Sequence, residues 1–232
     1  MHWPDSLISA RLIQRENRFL ARVKLEDSNK VVFAHVPSPG RMHELFLERA
    51  HVLLRKGASS QRKTGYDLFA VKTPEDILVI VDSRIANVLV KEALERKQIF
   101  PILELLPEQR FGNSRFDFLV KKTSGQNVWI EAKSVTLKEH GTRNALFPDA
   151  PTLRGSRHLE ELIIAINQGY EAMVIFAIMR DDCDSFSPNK ATDPRFAITL
   201  QRAGEAGVDI RAYCLAISKT GFMLGNEVSI SL

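Results

Sequence analysis

Two patterns make this a mixed α/β chain in two parts. Six short stretches of alternating apolar and polar residues crowd the first third, and helix-spaced apolar segments alternate with strands after it. Size agrees: 232 residues with 44% hydrophobic side chains suffice for two buried cores. The boundary is expected near Asp82, dividing the chain into 1–82 and 83–232. Strands are expected over residues 7–15, 19–25, 31–36, 51–55, 66–71 and 77–81, with turn residues between them. So many short strands read as a small barrel, and an OB-like fold is one solution. Residues 57–65 include Arg62 and Lys63 and read either as a basic loop that follows a nucleic-acid backbone or as a solvated hairpin loop.

Beyond Asp82, Ile85, Val88 and Leu89 recur at helical spacing, and Glu92 falls on the same line. A short strand over 109–112, a strand around Asp117 and a strand around Glu131 follow. A helix over 156–168 and a strongly apolar strand over 172–179 come next. The order is therefore α-β-β-β-α-β. Residues 208–218 and 222–230 read as two more strands joined by a turn at Lys219-Thr220-Gly221, at the edge of the C-terminal sheet.

The chemistry concentrates in the middle of that order. Ser114–Val120 reads S-R-F-D-F-L-V and Val128–Val135 reads V-W-I-E-A-K-S-V. Alternation along a strand sends Glu131 and Lys133 to one face and Ile130 and Ala132 to the other. With Asp117 ending the neighbouring strand, two carboxylates can hold a hard divalent cation, Mg²⁺ or Mn²⁺, and the lysine can reach a phosphate or the attacking water. An exposed Glu–Lys pair on a half-buried strand is the plainer alternative. The element order resembles the core of the restriction-endonuclease-like, or PD-(D/E)XK, nucleases, with Glu92, Asp117, Glu131 and Lys133 at the matching positions. Phe116 stands where that superfamily has proline. On this reading Asp117, Glu131 and Glu92 bind the metal, the Ala132 carbonyl is a further ligand, and Lys133 acts on the water and the phosphate.

A second resemblance spans nearly the whole chain. The runs H-V-P-S-P-G-R-M (His35–Met42), I-E-A-K-S-V-T-L (Ile130–Leu137), F-P-D-A-P-T-L-R-G-S-R-H-L (Phe147–Leu159) and S-F-S-P (Ser185–Pro188) resemble the sugar fermentation stimulation protein family. Ser38 stands where that family carries asparagine or aspartate. The resemblance implies an N-terminal OB-like barrel fused to a restriction-endonuclease-like domain, DNA binding, and regulation of sugar-utilisation genes. The residues of the third run support an anion site by themselves. Pro148 and Pro151 exclude helix, residues 152–155 supply turn residues and backbone N–H groups ahead of the helix expected over 156–168, and Arg154, Arg157 and His158 lie beside its start, where exposed amides and the macrodipole favour phosphate. Packing against Leu162 is the alternative for His158. Arg41, Arg62 and Lys63 complete the expected phosphate contacts.

Net charge is only +4, so any basic face must be local. Arg11 and Arg15 on the first strand, with Arg18, Arg22 and Lys24 on or before the second, offer one. Cys183 and Cys214 stand alone, without zinc or disulfide spacing, which suits a reduced, cytoplasmic setting. No apolar run is long enough for a membrane span, and no P-loop, Rossmann glycines, G-x-S-x-G or helix-turn-helix is present. The expected function is DNA binding with Mg²⁺- or Mn²⁺-dependent endonuclease or exonuclease activity on duplex, branched or single-stranded DNA, and the sequence is compatible with a homodimer. The alternative is a non-catalytic DNA-binding regulator.

Overall fold

The computed structural model describes residues 1–57 and 64–232. Arg62 and Lys63 lie outside the described residues. The N-terminal strands are β1 (Leu7–Asn17), β2 (Leu20–Leu25), β3 (Val31–His35), β4 (His51–Lys56), β5 (Tyr66–Lys72) and β6 (Leu78–Ile80). Their order is β3-β2-β1-β4-β5-β6, and β3 pairs back onto β5 through Ala34 with Tyr66 and His35 with Asp67. Five strands thereby close a barrel. Alternation fills it with Ala10, Leu12, Ala21, Val23, Val52 and Leu54. Register shifts between β1 and β2, after Leu12 and after Arg15, let the sheet curl.

The second part runs α1 (Arg84–Glu95), β7 (Ile102–Phe111), β8 (Ser114–Lys122), β9 (Asn127–Val135), β10 (Leu137–Lys138), β11 (Asn144–Phe147), α2 (Leu153–Asn167), β12 (Glu171–Ile178), β13 (Ser185–Pro188), α3 (Pro194–Glu205), β14 (Asp209–Ile217), β15 (Phe222–Glu227) and β16 (Ser229–Ile230). Its main sheet has the order β15-β14-β12-β9-β8-β7, with β9, β12 and β14 parallel. One face packs on α1 through Ile85, Leu89, Val90 and Leu94, and the other on α2 and α3 through Leu159, Leu162, Phe196 and Leu200. Four short strands, β10-β11-β13-β16, form a separate small sheet. Among the described residues, no helix is long and apolar enough to cross a membrane.

Several expectations change. The first strand of the trio, β7, covers 10 residues and begins well before position 109. The last expected strand is interrupted at Val228, so that β15 ends at Glu227 and β16 begins at Ser229 in the other sheet. Of these two strands, β14 lies inside the main sheet and β15 at one of its edges. Helix α3 and the small sheet are additions to the expected order. Val88, expected in the apolar stripe of α1, is 43% exposed, because the buried face is the paired series Ile85-Ala86, Leu89-Val90 and Ala93-Leu94.

The barrel and the main sheet share a core. Leu53 and Leu54 of β4 pair with Ala70 and Leu68 of β5, leaving Phe69 as an extra residue. Its ring turns from the barrel into the cluster formed by Ile80, α1 and Phe222. Asp82, fully buried, accepts hydrogen bonds from Arg84 at 2.6 Å and from Arg55 at 3.1 Å. The loop after β3 crosses this joint. The Pro37 carbonyl accepts from the amide and the hydroxyl of Ser83, at 3.1 and 2.8 Å, and the Met42 amide donates to Asp149 Oδ2 at 3.2 Å. Gly40 has no room for a side chain, since a Cβ would lie 2.4 Å from Asp149 Oδ2. Ser38 is buried and its hydroxyl accepts from the Gly40 amide at 3.4 Å, stabilising the same turn.

Candidate active site

Strands β8 and β9 pair as far as Phe118 with Ile130, and Asp117 lies just past that last pair. There its side chain substitutes for a main-chain partner. Oδ2 accepts from the Ala132 amide at 2.8 Å and Oδ1 accepts from Asn87 Nδ2 of α1 at 2.5 Å. Burial and then the nearby Glu131 push the Asp117 carboxyl up to about 6, against the pull of the Ala132 amide, Lys133 and Asn87.

Glu131 is tethered to the opposite helix. Its Oε1 accepts from Lys133 Nζ and from His158 Nδ1 of α2, each at 2.5 Å. Burial raises this carboxyl, but Lys133 and His158 outweigh burial and hold it below the usual range. Oε2 is buried without a hydrogen-bond partner among the described residues. Arg154 Nε donates to His158 Nε2 at 3.3 Å, so the proton given to Glu131 resides on Nδ1.

The structure thus brings together Asp117, Glu131, Lys133, His158 and Arg154, and leaves others apart. Glu92 is not in the cluster. Its Oε2 pairs with the Met1 ammonium at 2.9 Å and its Oε1 with Arg96 at 2.6 Å, because its line on α1 runs beside the buried face. Asn87 occupies the place on α1 expected for Glu92. His158 is 2% exposed, and its Nδ1 is spent on Glu131 and its Nε2 on Arg154 rather than on an open anion site. Arg157 is exposed on α2, and Arg41 is exposed on the loop crossing the joint. Phe116, in the proline position, is fully buried against Trp129 and His158. The sequence carries one signal for Asn87, a poor helix former set between Ala86 and Val88, where a side-chain partner is needed.

The residues fit a small, hard cation. Among the described residues no group of three or more His, Cys, Asp or Glu side chains is arranged to hold a metal. Two carboxylates, one with a free oxygen and one raised by its surroundings, suit an ion such as Mg²⁺ that keeps several waters and takes further oxygens from a phosphate.

Comparison with known proteins gives a consistent family. Residues 84–221 match the model described as Sugar fermentation stimulation protein RE domain, and residues 13–81 match SfsA N-terminal OB domain. A sugar fermentation stimulation protein homolog of Clostridium perfringens is 42% identical over 235 residues, covering all of both chains. A homolog of Clostridium botulinum is 40% identical over 230 residues, covering 98% of each. Among solved structures, Pyrococcus furiosus SfsA in complex with Ca²⁺ is 28% identical with a TM-score of 0.88, over 100% of this chain and 98% of that one. The chain belongs to the sugar fermentation stimulation protein family.

Proposed function

We propose that the chain is a divalent-metal-dependent DNA phosphodiesterase, with the barrel at 1–82 gripping DNA and the layer at 83–232 carrying the reaction. The observation that supports this most is the pair Asp117 and Glu131 at the parting of β8 and β9, with a buried, unpartnered oxygen on Glu131 and Lys133 beside it. The Ca²⁺ complex of the Pyrococcus furiosus relative supports a cation for this chain too.

Asp117 and Glu131 would hold Mg²⁺ or Mn²⁺, with the Ala132 carbonyl as a further ligand; the bound ion supplies an acidified water and a counter-charge for the phosphate. Asn87 fixes the orientation of Asp117, and His158 that of Glu131. Lys133 faces the same carboxylate and supplies a proton donor to a phosphate oxygen as charge builds there. Arg154 and Arg157 project at the start of α2, where they can draw in the backbone of the substrate.

A second reading has its own support. Lys133 and His158 both neutralise Glu131, and no third acidic ligand is present among the described residues, which suits a DNA-binding regulator that uses the fold without cleaving. Single-turnover assays on duplex, nicked, branched and single-stranded DNA separate the two. The nuclease predicts cleavage in Mg²⁺ or Mn²⁺ that chelation abolishes and that Lys133→Ala slows on the order of a hundredfold at nearly constant affinity. Intact DNA of every form, or cleavage indifferent to chelator and mutation, would leave the regulator.

A further inference from the structure

A groove of about 620 Å³ opens on the barrel between the β1–β2 turn and the loop that follows Pro39. Arg15, Arg18, Arg41 and His43 line it against a single acid, Glu48. Arg15 is a structural tie. Its guanidinium lies 4.4 Å from the centroid of the Phe46 ring and donates to the carbonyls of Arg18, Gly40 and Arg41, so it joins the two walls. Arg18, Arg41 and His43 differ from it, being exposed and forming no side-chain hydrogen bond or ion pair among the described residues. Two guanidiniums and an imidazole therefore face solvent across one opening with their donors unused. Next to Arg18 on the turn, just outside the residues that line the groove, Phe19 is 48% exposed and stacks on no other ring among the described residues.

The position of the groove matters as much as its charge. Its outer loop is held at Ser83, which begins α1, and at Asp149, just before α2. Asn87 lies one turn into α1, about 6 Å along the axis, and His158 lies about 9 Å beyond Thr152 on α2. Those two residues contact Asp117 and Glu131. Groove and carboxylates therefore sit on the side of the molecule where both helices begin.

We propose that this groove grips a single-stranded segment of DNA adjoining the strand presented to Asp117 and Glu131. Arg18, Arg41 and His43 contact consecutive phosphates, and a base stacks on Phe19. A duplex has its bases paired and stacked internally and cannot give that ring a partner; an unpaired strand can. The inference rests on the DNA-cleaving reading for what lies next to the groove, but it is tested by binding alone.

The experiment measures fluorescence anisotropy in EDTA, with a single-stranded oligonucleotide, a blunt duplex and a duplex with a single-stranded overhang, across a salt series. Wild type should prefer the single strand and the overhang to the blunt duplex. Phe19→Ala should weaken binding to both about tenfold. The Arg18→Ala/Arg41→Ala double variant should weaken it further and flatten the single-strand salt slope by about 1.4, while Arg18→Lys/Arg41→Lys should restore the slope. All three variants alter exposed side chains, and thermal unfolding checks that they fold. Equal affinity of wild type and variants for the single strand, or an equal loss on the blunt duplex, would overturn the proposal. Cleavage in Mn²⁺ is read separately, so failure of the catalytic reading would appear as intact DNA with groove-dependent binding preserved.

Discussion

Two of the buried acidic clusters among the described residues are built differently. At the joint of barrel and sheet, Asp82 is surrounded by donors: Arg84 Nε at 2.7 Å and its amide at 3.1 Å on Oδ1, Arg84 Nη2 at 2.6 Å and Arg55 at 3.1 Å on Oδ2. Both oxygens are satisfied by fixed cations. In the second cluster Asp117 accepts from uncharged donors, and Glu131 keeps a buried oxygen without a partner among the described residues. Burial does not distinguish these two clusters; the completeness of the donor set does. The joint is finished without a ligand, whereas the Asp117–Glu131 pair leaves charge for a cation to neutralise.

Removing the acid from each cluster is the largest test of that contrast. Asp117→Asn should reduce metal-dependent cleavage on the order of a thousandfold, equivalent to several kcal/mol of lost transition-state stabilisation, with the fold intact. Asp82→Ala should leave the cleavage rate of the folded protein within a few-fold but lower the unfolding free energy by about 1 to 2 kcal/mol, since it removes four accepted hydrogen bonds while Arg84 and Arg55, both partly exposed, keep Asp67 as a partner. Denaturant midpoints and single-turnover rates for both variants check this. A catalytic loss at Asp82 equal to that at Asp117 would erase the distinction.

His158 should give a smaller effect because it acts through Glu131. His158→Ala removes the hydrogen bond that fixes one carboxylate oxygen, so Mg²⁺ affinity should fall about 10- to 100-fold with DNA affinity nearly unchanged. Metal titration by calorimetry separates this from a direct phosphate contact, which would weaken DNA binding and leave the ion alone.

The contrast also explains what is legible in the sequence. The barrel strands stand out because alternate residues such as Ala10 and Leu12, or Val52 and Leu54, face one core. β5 is visible for another reason: it is buried on both faces, so nearly all of its residues are apolar. Asp117, Glu131 and Lys133 stand out because charges inside apolar strands are costly. Helix α3 is legible as well, with an Asp193 cap, Pro194 at the first position, and Phe196, Ala197, Leu200 and Ala203 recurring at helical spacing. The small sheet leaves little to see, since strands of two to four residues have no period. Glu92 misleads because three apolar residues define a line whose middle member, Val88, does not reach the core. The paired series Ile85-Ala86, Leu89-Val90 and Ala93-Leu94 places the buried face correctly and leaves Asn87 at its edge, toward Asp117. The groove around Arg15 is invisible in one dimension, because it needs the loop after β3 to fold back over the β1–β2 turn.

The smallest expected effect is also the most specific, because it follows from the raised carboxyl of Asp117. In metal-free protein its folded-state value of about 6 exceeds the ordinary 3.8, so folding favours the protonated acid. That contribution is fully present below about pH 3.8 and is lost as pH rises through 6, where the ionised group sits buried beside Glu131. The difference corresponds to at most about 3 kcal/mol, and an amide in this position gives up one accepted hydrogen bond, so the net should be about 1 to 2 kcal/mol. In EDTA, Asp117→Asn should therefore match or fall below wild type at pH 4 and exceed it at pH 8. Mg²⁺ should reverse the order at pH 8, because the ion stabilises the ionised wild type and has less to hold in the variant. Unfolding free energies at both pH values, with and without Mg²⁺, decide the matter: a difference between the proteins that does not change from pH 4 to pH 8 would mean that Asp117 carries no stored repulsion, and the distinction between the two acidic clusters would lose its electrostatic basis.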